Sequence, residues 1–86
     1  MTLVWDESAW EDYVWWQEND RRMLPRINRL IKEAWRDPGS GIGKPERLKG
    51  DLTGWWSRRV NDEHRLVYRA VGDTLEIASC RYHYED

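Results

Sequence analysis

The spacing of apolar residues changes once along this chain, at Asp37-Pro-Gly-Ser-Gly-Ile-Gly43. Before this cluster they recur every three or four residues, which places them on one face of a helix. After it they alternate, which places them on one face of a strand. Glycine and proline at such density end a helix and redirect the chain. The chain must therefore pack a helical half against a stranded half, and the expected class is α+β.

The elements follow from local chemistry. Leu3-Val4-Trp5 reads as a short first strand. Ser8-Ala-Trp-Glu11 matches a capping box, in which a hydroxyl and a carboxylate satisfy amides at a helix start. Trp10, Tyr13, Val14 and Gln17 then predict a helix to about Glu18 with an aromatic face. Asp20 is the expected N-cap of a second helix reaching Trp35, with Met23, Leu24, Ile27, Leu30, Ile31 and Ala34 inward. Pro25 requires either a distorted first turn or a regular helix that begins only there. So short a connection makes the two helices an antiparallel hairpin. Strands are expected at Arg47–Lys49, Trp55–Val60, Arg65–Val71 and from Thr74 towards Tyr84. Gly72-Asp73 is a two-residue hairpin turn. It sets Tyr68 opposite Ile77 and Arg69 opposite Glu76, and gives the helices an apolar face of Leu66, Tyr68, Ala70, Leu75 and Ile77. The whole is a short N-terminal strand, a helix hairpin and a twisted antiparallel sheet.

Eighty-six residues suffice for a single domain, 1–86. The mean hydropathy of −0.96 is very polar, yet seven Trp and four Tyr exclude the aromatic-poor composition of disordered chains. No apolar run is long enough for a membrane span, and no signal peptide is evident, so no membrane partner is expected. The lone Cys80 cannot form an internal disulfide and suits a reducing cytoplasm. One Cys and two His cannot build the usual zinc cage.

The net charge of −2 conceals a segregation: residues 1–20 carry −6, residues 21–71 carry +7 and residues 72–86 carry −3. A basic middle segment is a local field suited to nucleic acid, although mixed surface charge explains it as well. The sheet face turned from the helices should show Arg65, Val67 and Arg69, with Lys49 and Arg58 or Arg59 beside them. Trp55, Trp56, Tyr82 and Tyr84 are interleaved with these cations, the composition of a platform for single-stranded RNA. Most of the Trp residues have a simpler use in filling a small core.

Candidate chemistry is sparse. His83 can exchange a proton near neutrality, though a lone His is more often structural. Glu46 follows Lys44-Pro45, and the proline directs its carboxylate. An acid, a base and an Arg are enough to cleave RNA without a metal or cofactor. The 2′-OH attacks its own phosphate, one group removes that proton, and another protonates the departing 5′-oxygen. A guanidinium stabilises charge on the non-bridging oxygens. Gly39-Ser-Gly-Ile-Gly43 lacks the length and the Lys-Ser or Lys-Thr ending of a phosphate loop.

Trp5, Trp10, Tyr13 and Trp16-Gln17-Glu18, with Gly43-Lys-Pro-Glu46, Trp56-Ser-Arg-Arg59, Glu63-His-Arg-Leu-Val-Tyr68 and Cys80-Arg-Tyr-His-Tyr84, together resemble the YoeB toxins. These are RelE-superfamily mRNA interferases that depend on the ribosome, and the likeness spans nearly the whole chain. It implies a microbial-ribonuclease-like fold and cleavage of mRNA in the ribosomal A site, leaving 2′,3′-cyclic or 3′-phosphate and 5′-OH ends. It implies Glu46 as general base, His83 as general acid, Arg65 as phosphate stabiliser and Tyr84 as the ring that orients substrate. Lys44, Lys49, Arg58 and Arg59 are the cations expected to bind RNA. The partners implied are a YefM-type antitoxin, the ribosome with its mRNA and, through the antitoxin, operator DNA. Surplus Trp on the first helix predicts a homodimer. Two other functions fit the same chain: a non-catalytic translation blocker and a co-regulator of an antitoxin–operator complex. Regular alternation leaves one conflict, because Arg65 and Tyr84 would share a face while His83 would not; an end-of-strand bend, bulge or fraying after Arg81 is expected to bring both rings to one site.

Overall fold

The computed structural model describes residues 1–82. The described elements are β1 (Thr2–Trp5), α1 (Glu7–Asn19), α2 (Leu24–Arg36), β2 (Glu46–Arg47), β3 (Trp56–Arg59), β4 (Arg65–Val71) and β5 (Thr74–Ser79). The expected α+β class is observed. The five strands form one sheet in the order β1-β5-β4-β3-β2. β2 through β5 are antiparallel to their neighbours, whereas β1 pairs parallel with β5, so the sheet is mixed. No helix among the described residues is long and apolar enough to cross a membrane.

Both helices contribute to one core. Ala9 and Trp16 from α1 and Ile27, Leu30, Ile31 and Ala34 from α2 cluster with Leu66, Tyr68, Leu75 and Ile77. The Tyr13 hydroxyl donates to Asn28 Oδ1 at 2.6 Å and links the two helices. Pro25 behaves as its chemistry requires. A 3₁₀ turn at Arg21–Met23 precedes the α-helix, and the proline falls in the first turn of α2, where its missing N–H costs no bond.

Three helical expectations are corrected. The Ser8–Glu11 capping box does not form, because the N-cap is Asp6, two residues earlier, and α1 begins at Glu7. Asp20 makes no side-chain cap. The buried positions of α1 are Ala9 and Trp16, while Trp10 is 50% exposed. Trp10 instead joins Trp5 and Tyr13 in a surface cluster, with ring centroids 4.8 to 6.0 Å apart. Tertiary contact chose between two plausible stripes that the sequence spacing did not separate.

The β4–β5 hairpin keeps the expected register from Val71–Thr74 to Tyr68–Ile77, with Arg69 opposite Glu76. Arg69 is bound to Glu76 at 2.9 Å and lies over the Trp55 ring at 4.4 Å. The register then shifts, and Val67 pairs with Ser79, so Ala78 is an extra residue. Ser8 Oγ donates to the Ala78 carbonyl at 3.1 Å. The hydroxyl read as a helix cap thus serves the bulge. Ala70, expected on the apolar face, is exposed, although its partner Leu75 is buried.

Candidate functional site

Residues paired on neighbouring strands turn their side chains to the same face of a sheet. Glu46 pairs with Ser57, Ser57 with Val67, and Val67 with Ser79, which makes one row across the sheet. Arg59 pairs with Arg65, two residues along and on that same face. Register alone therefore gathers Glu46, Arg59 and Arg65. Like charges directly opposite each other oppose strand pairing. An Arg–Arg cross-strand pair does nothing for the sheet, and it sets two cations side by side on one face.

Arg65 is half-buried and held in place. Its Nη1 donates to the carbonyls of Asn61 at 2.8 Å, His64 at 3.0 Å and Asp62 at 3.2 Å. Asn61 shapes that turn by accepting the His64 and Glu63 amides at its Oδ1, at 2.7 and 3.0 Å. Arg59 is positioned through its backbone: its amide donates to the Gly43 carbonyl at 2.7 Å, and its carbonyl accepts Arg26 Nη2 at 3.0 Å. Glu46 is exposed on β2 at the sheet edge. Lys44 and Lys49 are exposed on either side of that strand, and Lys44 adopts a φ of 52°. His83 and Tyr84 lie outside the described residues.

Arg58 is the clear correction. It was expected to contact RNA, yet it is 0% exposed. It pairs with Leu66, so it faces the core and not the Arg59–Arg65 side. Its guanidinium donates to the carbonyls of Asp37 and Ser40 at 2.6 Å and of Ile42 at 3.0 Å, and Nε donates to the Tyr68 hydroxyl at 2.8 Å. Tyr68 in turn donates to the Pro38 carbonyl at 2.5 Å, and burial pushes its phenol above the ordinary range. The glycine-rich loop therefore presents carbonyls to a cation, the opposite polarity to a loop that cradles phosphate. Gly43 is needed there. Its φ is 86°, and a Cβ would stand 2.6 Å from Leu30 and 3.1 Å from Arg58. This buried cation fixes the loop that leads into Lys44 and Glu46.

The open stacking platform is also corrected. Val67, expected on the exposed face, is 3% exposed. Trp55 lies under Arg69, Trp56 packs with Arg47 at 5.0 Å, and Tyr82 stacks with Arg81 at 4.4 Å. These rings are already engaged with cations of the chain itself.

Two groups escaped the sequence reading. His64 is buried, and its Nδ1 accepts the Tyr82 amide at 2.6 Å across eighteen residues. No short spacing could have signalled that bond. Asp12 accepts the Cys80 amide at 3.1 Å. Burial raises the Asp12 carboxyl above its usual range, against the lowering effect of that amide and of Arg81. Burial and the nearby Asp12 push the Cys80 thiol up to about 12, so it remains protonated and unreactive. A carboxyl raised by folding contributes stability at low pH that is lost as pH rises through its folded value. Asp12→Asn keeps the acceptor without the charge. It should melt slightly higher than the parent at pH 7, by under about 1 kcal/mol after solvent screening, and equally near pH 4. A lower melting temperature for Asp12→Asn at pH 7 would show that attraction to Arg81 outweighs burial.

The chain is similar to proteins of known family and structure. Residues 5–84 match the family described as YoeB-like toxin of bacterial type II toxin-antitoxin system. Toxin YoeB of Escherichia coli K12 is 56% identical over 84 residues, covering 98% of this chain and 100% of that one. A solved YoeB/ParE toxin from Agrobacterium tumefaciens is 53% identical with a TM-score of 0.95, covering 98% of this chain and 100% of that one. YoeB of Staphylococcus aureus is 48% identical over 98% of each chain; it is solved in a heterotetrameric YoeB-YefM complex and as a dimer, with TM-scores of 0.89 and 0.90. The chain therefore belongs to the YoeB-like toxins of bacterial type II toxin–antitoxin systems.

Proposed function

We propose that this toxin is a ribosome-dependent endoribonuclease that cuts mRNA in the A site by general acid–base attack of the 2′-OH. The observation that carries the reading is the Arg59–Arg65 pair on one sheet face with Glu46. Glu46 takes the 2′-OH proton, and the oxygen attacks the adjacent phosphorus. Arg65 bears the charge that gathers on the non-bridging oxygens. His83 protonates the departing 5′-oxygen, leaving a 2′,3′-cyclic phosphate and a 5′-OH. Tyr84 orients the substrate, and Lys44, Lys49 and Arg59 steer its backbone. These roles follow the family resemblance at matching positions, and Arg58 is excluded from them by its burial.

A YefM-type antitoxin inhibits the toxin by covering this basic face with a segment that orders on binding. Operator DNA is reached only through that antitoxin. Exposed Trp10, packed against the half-buried Trp5 and Tyr13, supplies an apolar patch for a homodimer. The protein works in the cytoplasm, where ribosomes are.

The test is to map the 3′ ends of a defined mRNA on ribosomes after addition of the toxin. A discrete cut within the A-site codon, ending in a cyclic or 3′-phosphate, is the expected result. Stalled ribosomes on intact mRNA would replace the nuclease with a blocker.

A further inference from the structure

β5 ends at Ser79, yet the chain remains tightly held through Tyr82. The Cys80 carbonyl accepts the Trp16 indole N–H at 3.0 Å, while its amide donates to Asp12. The Arg81 guanidinium lies over Trp15 at 4.1 Å and over Tyr82 at 4.4 Å. Tyr82 itself has a φ of 66°, a left-handed conformation that a bulky residue rarely adopts. Something must hold it there. Two consecutive residues do so from opposite sides: His64 Nδ1 accepts the Tyr82 amide at 2.6 Å, and the Arg65 amide donates to the Tyr82 carbonyl at 3.0 Å.

The His64 ring is itself fixed. It meets Trp16 edge-on at 5.0 Å and the Tyr82 ring at 5.4 Å, and its Nε2 is 3.7 Å from Glu63 Oε2. A ring nitrogen that accepts an amide cannot carry a proton, so the bound form is the neutral imidazole with its hydrogen on Nε2. We propose that His64 is a positioning residue whose neutral imidazole holds Tyr82, immediately before His83 and Tyr84 in the chain, in its left-handed conformation. This rests on the roles given to those two residues in the proposed function. It also ties Tyr82 to Arg65, because these two consecutive residues, His64 and Arg65, bind its amide and its carbonyl.

A proton on Nδ1 would set a donor against a donor and break the bond.

The test compares the full-length parent, His64→Asn and His64→Gln on ribosomes, with amide exchange at Tyr82 as a second readout. The Asn side-chain oxygen can stand where Nδ1 stands, whereas Gln places its polar atoms nearer Nε2. His64→Gln should lose Tyr82 protection and lower kcat by up to roughly 10²-fold, with KM little changed. His64→Asn should recover Tyr82 protection and most of the lost kcat. The proposal is overturned if His64→Gln keeps Tyr82 protected, or loses that protection with kcat at the parent level. Equal losses of kcat in both variants, in step with their melting temperatures, would also overturn it. His83→Gln run alongside separates the two ideas: cleavage at the parent rate removes the acid role, while Tyr82 exchange still decides whether His64 holds the chain.

Discussion

Arg65→Ala should lower mRNA cleavage by roughly 10²–10³-fold while leaving ribosome association nearly intact. The guanidinium stands opposite Arg59 on the face that carries Glu46. Three carbonyls of the 61–64 turn hold its Nη1, so in the proposed mechanism it would meet developing phosphate charge without first being ordered. Arg65→Lys should recover little, because an ammonium cannot span those carbonyls and a phosphate with one planar fork. His83→Gln should cost roughly 10²–10⁴-fold through loss of the proton donor. Single-turnover cleavage beside a ribosome-binding measurement checks both. Cleavage by Arg65→Ala at the parent rate would remove phosphate stabilisation from the mechanism.

The second large effect is on stability. Arg58→Met should destabilise the fold by roughly 3 kcal/mol or more, since hydrogen bonds to a charged group are each worth about 1.5–3 kcal/mol. A small domain has only about 5–15 kcal/mol in total. The lost partners are the carbonyls of Asp37, Ser40 and Ile42 and the Tyr68 hydroxyl. Tyr68 would keep its bond to Pro38, but the loop would lose the centre it wraps. Because that loop leads directly into Glu46, cleavage by whatever fraction remains folded should fall as well. Urea unfolding gives the measurement. An unchanged midpoint would mean that water satisfies the loop as well as Arg58 does.

Arg58 and Arg59 show how far the sequence could be read. Both are arginines in one strand, and alternation required them to face opposite ways. It did not say which faced the core. A buried guanidinium needs acceptors, and Arg58 finds them in a glycine-rich loop some twenty residues earlier, a pairing invisible until the loop folds over β3. The Trp residues of α1 pose the same problem. Trp10 and Trp16 each fit a helical stripe, and only the placement of α1 against β5 selected Ala9 and Trp16 for burial.

The sequence by itself determined the α+β class, the order of the elements, the Gly72-Asp73 turn with its cross-strand pairs, and the gathering of Glu46 and Arg65 into one family pattern. These depend on local periodicity, turn chemistry and residues at fixed separations, all present in a linear string. Only the tertiary structure decided the parallel docking of β1 on β5, the bulge at Ala78, the burial of Arg58 and the hold of His64 on Tyr82. Each of these is a long-range match between a polar group and the partner it requires once water is gone. That requirement arises only when the layers close.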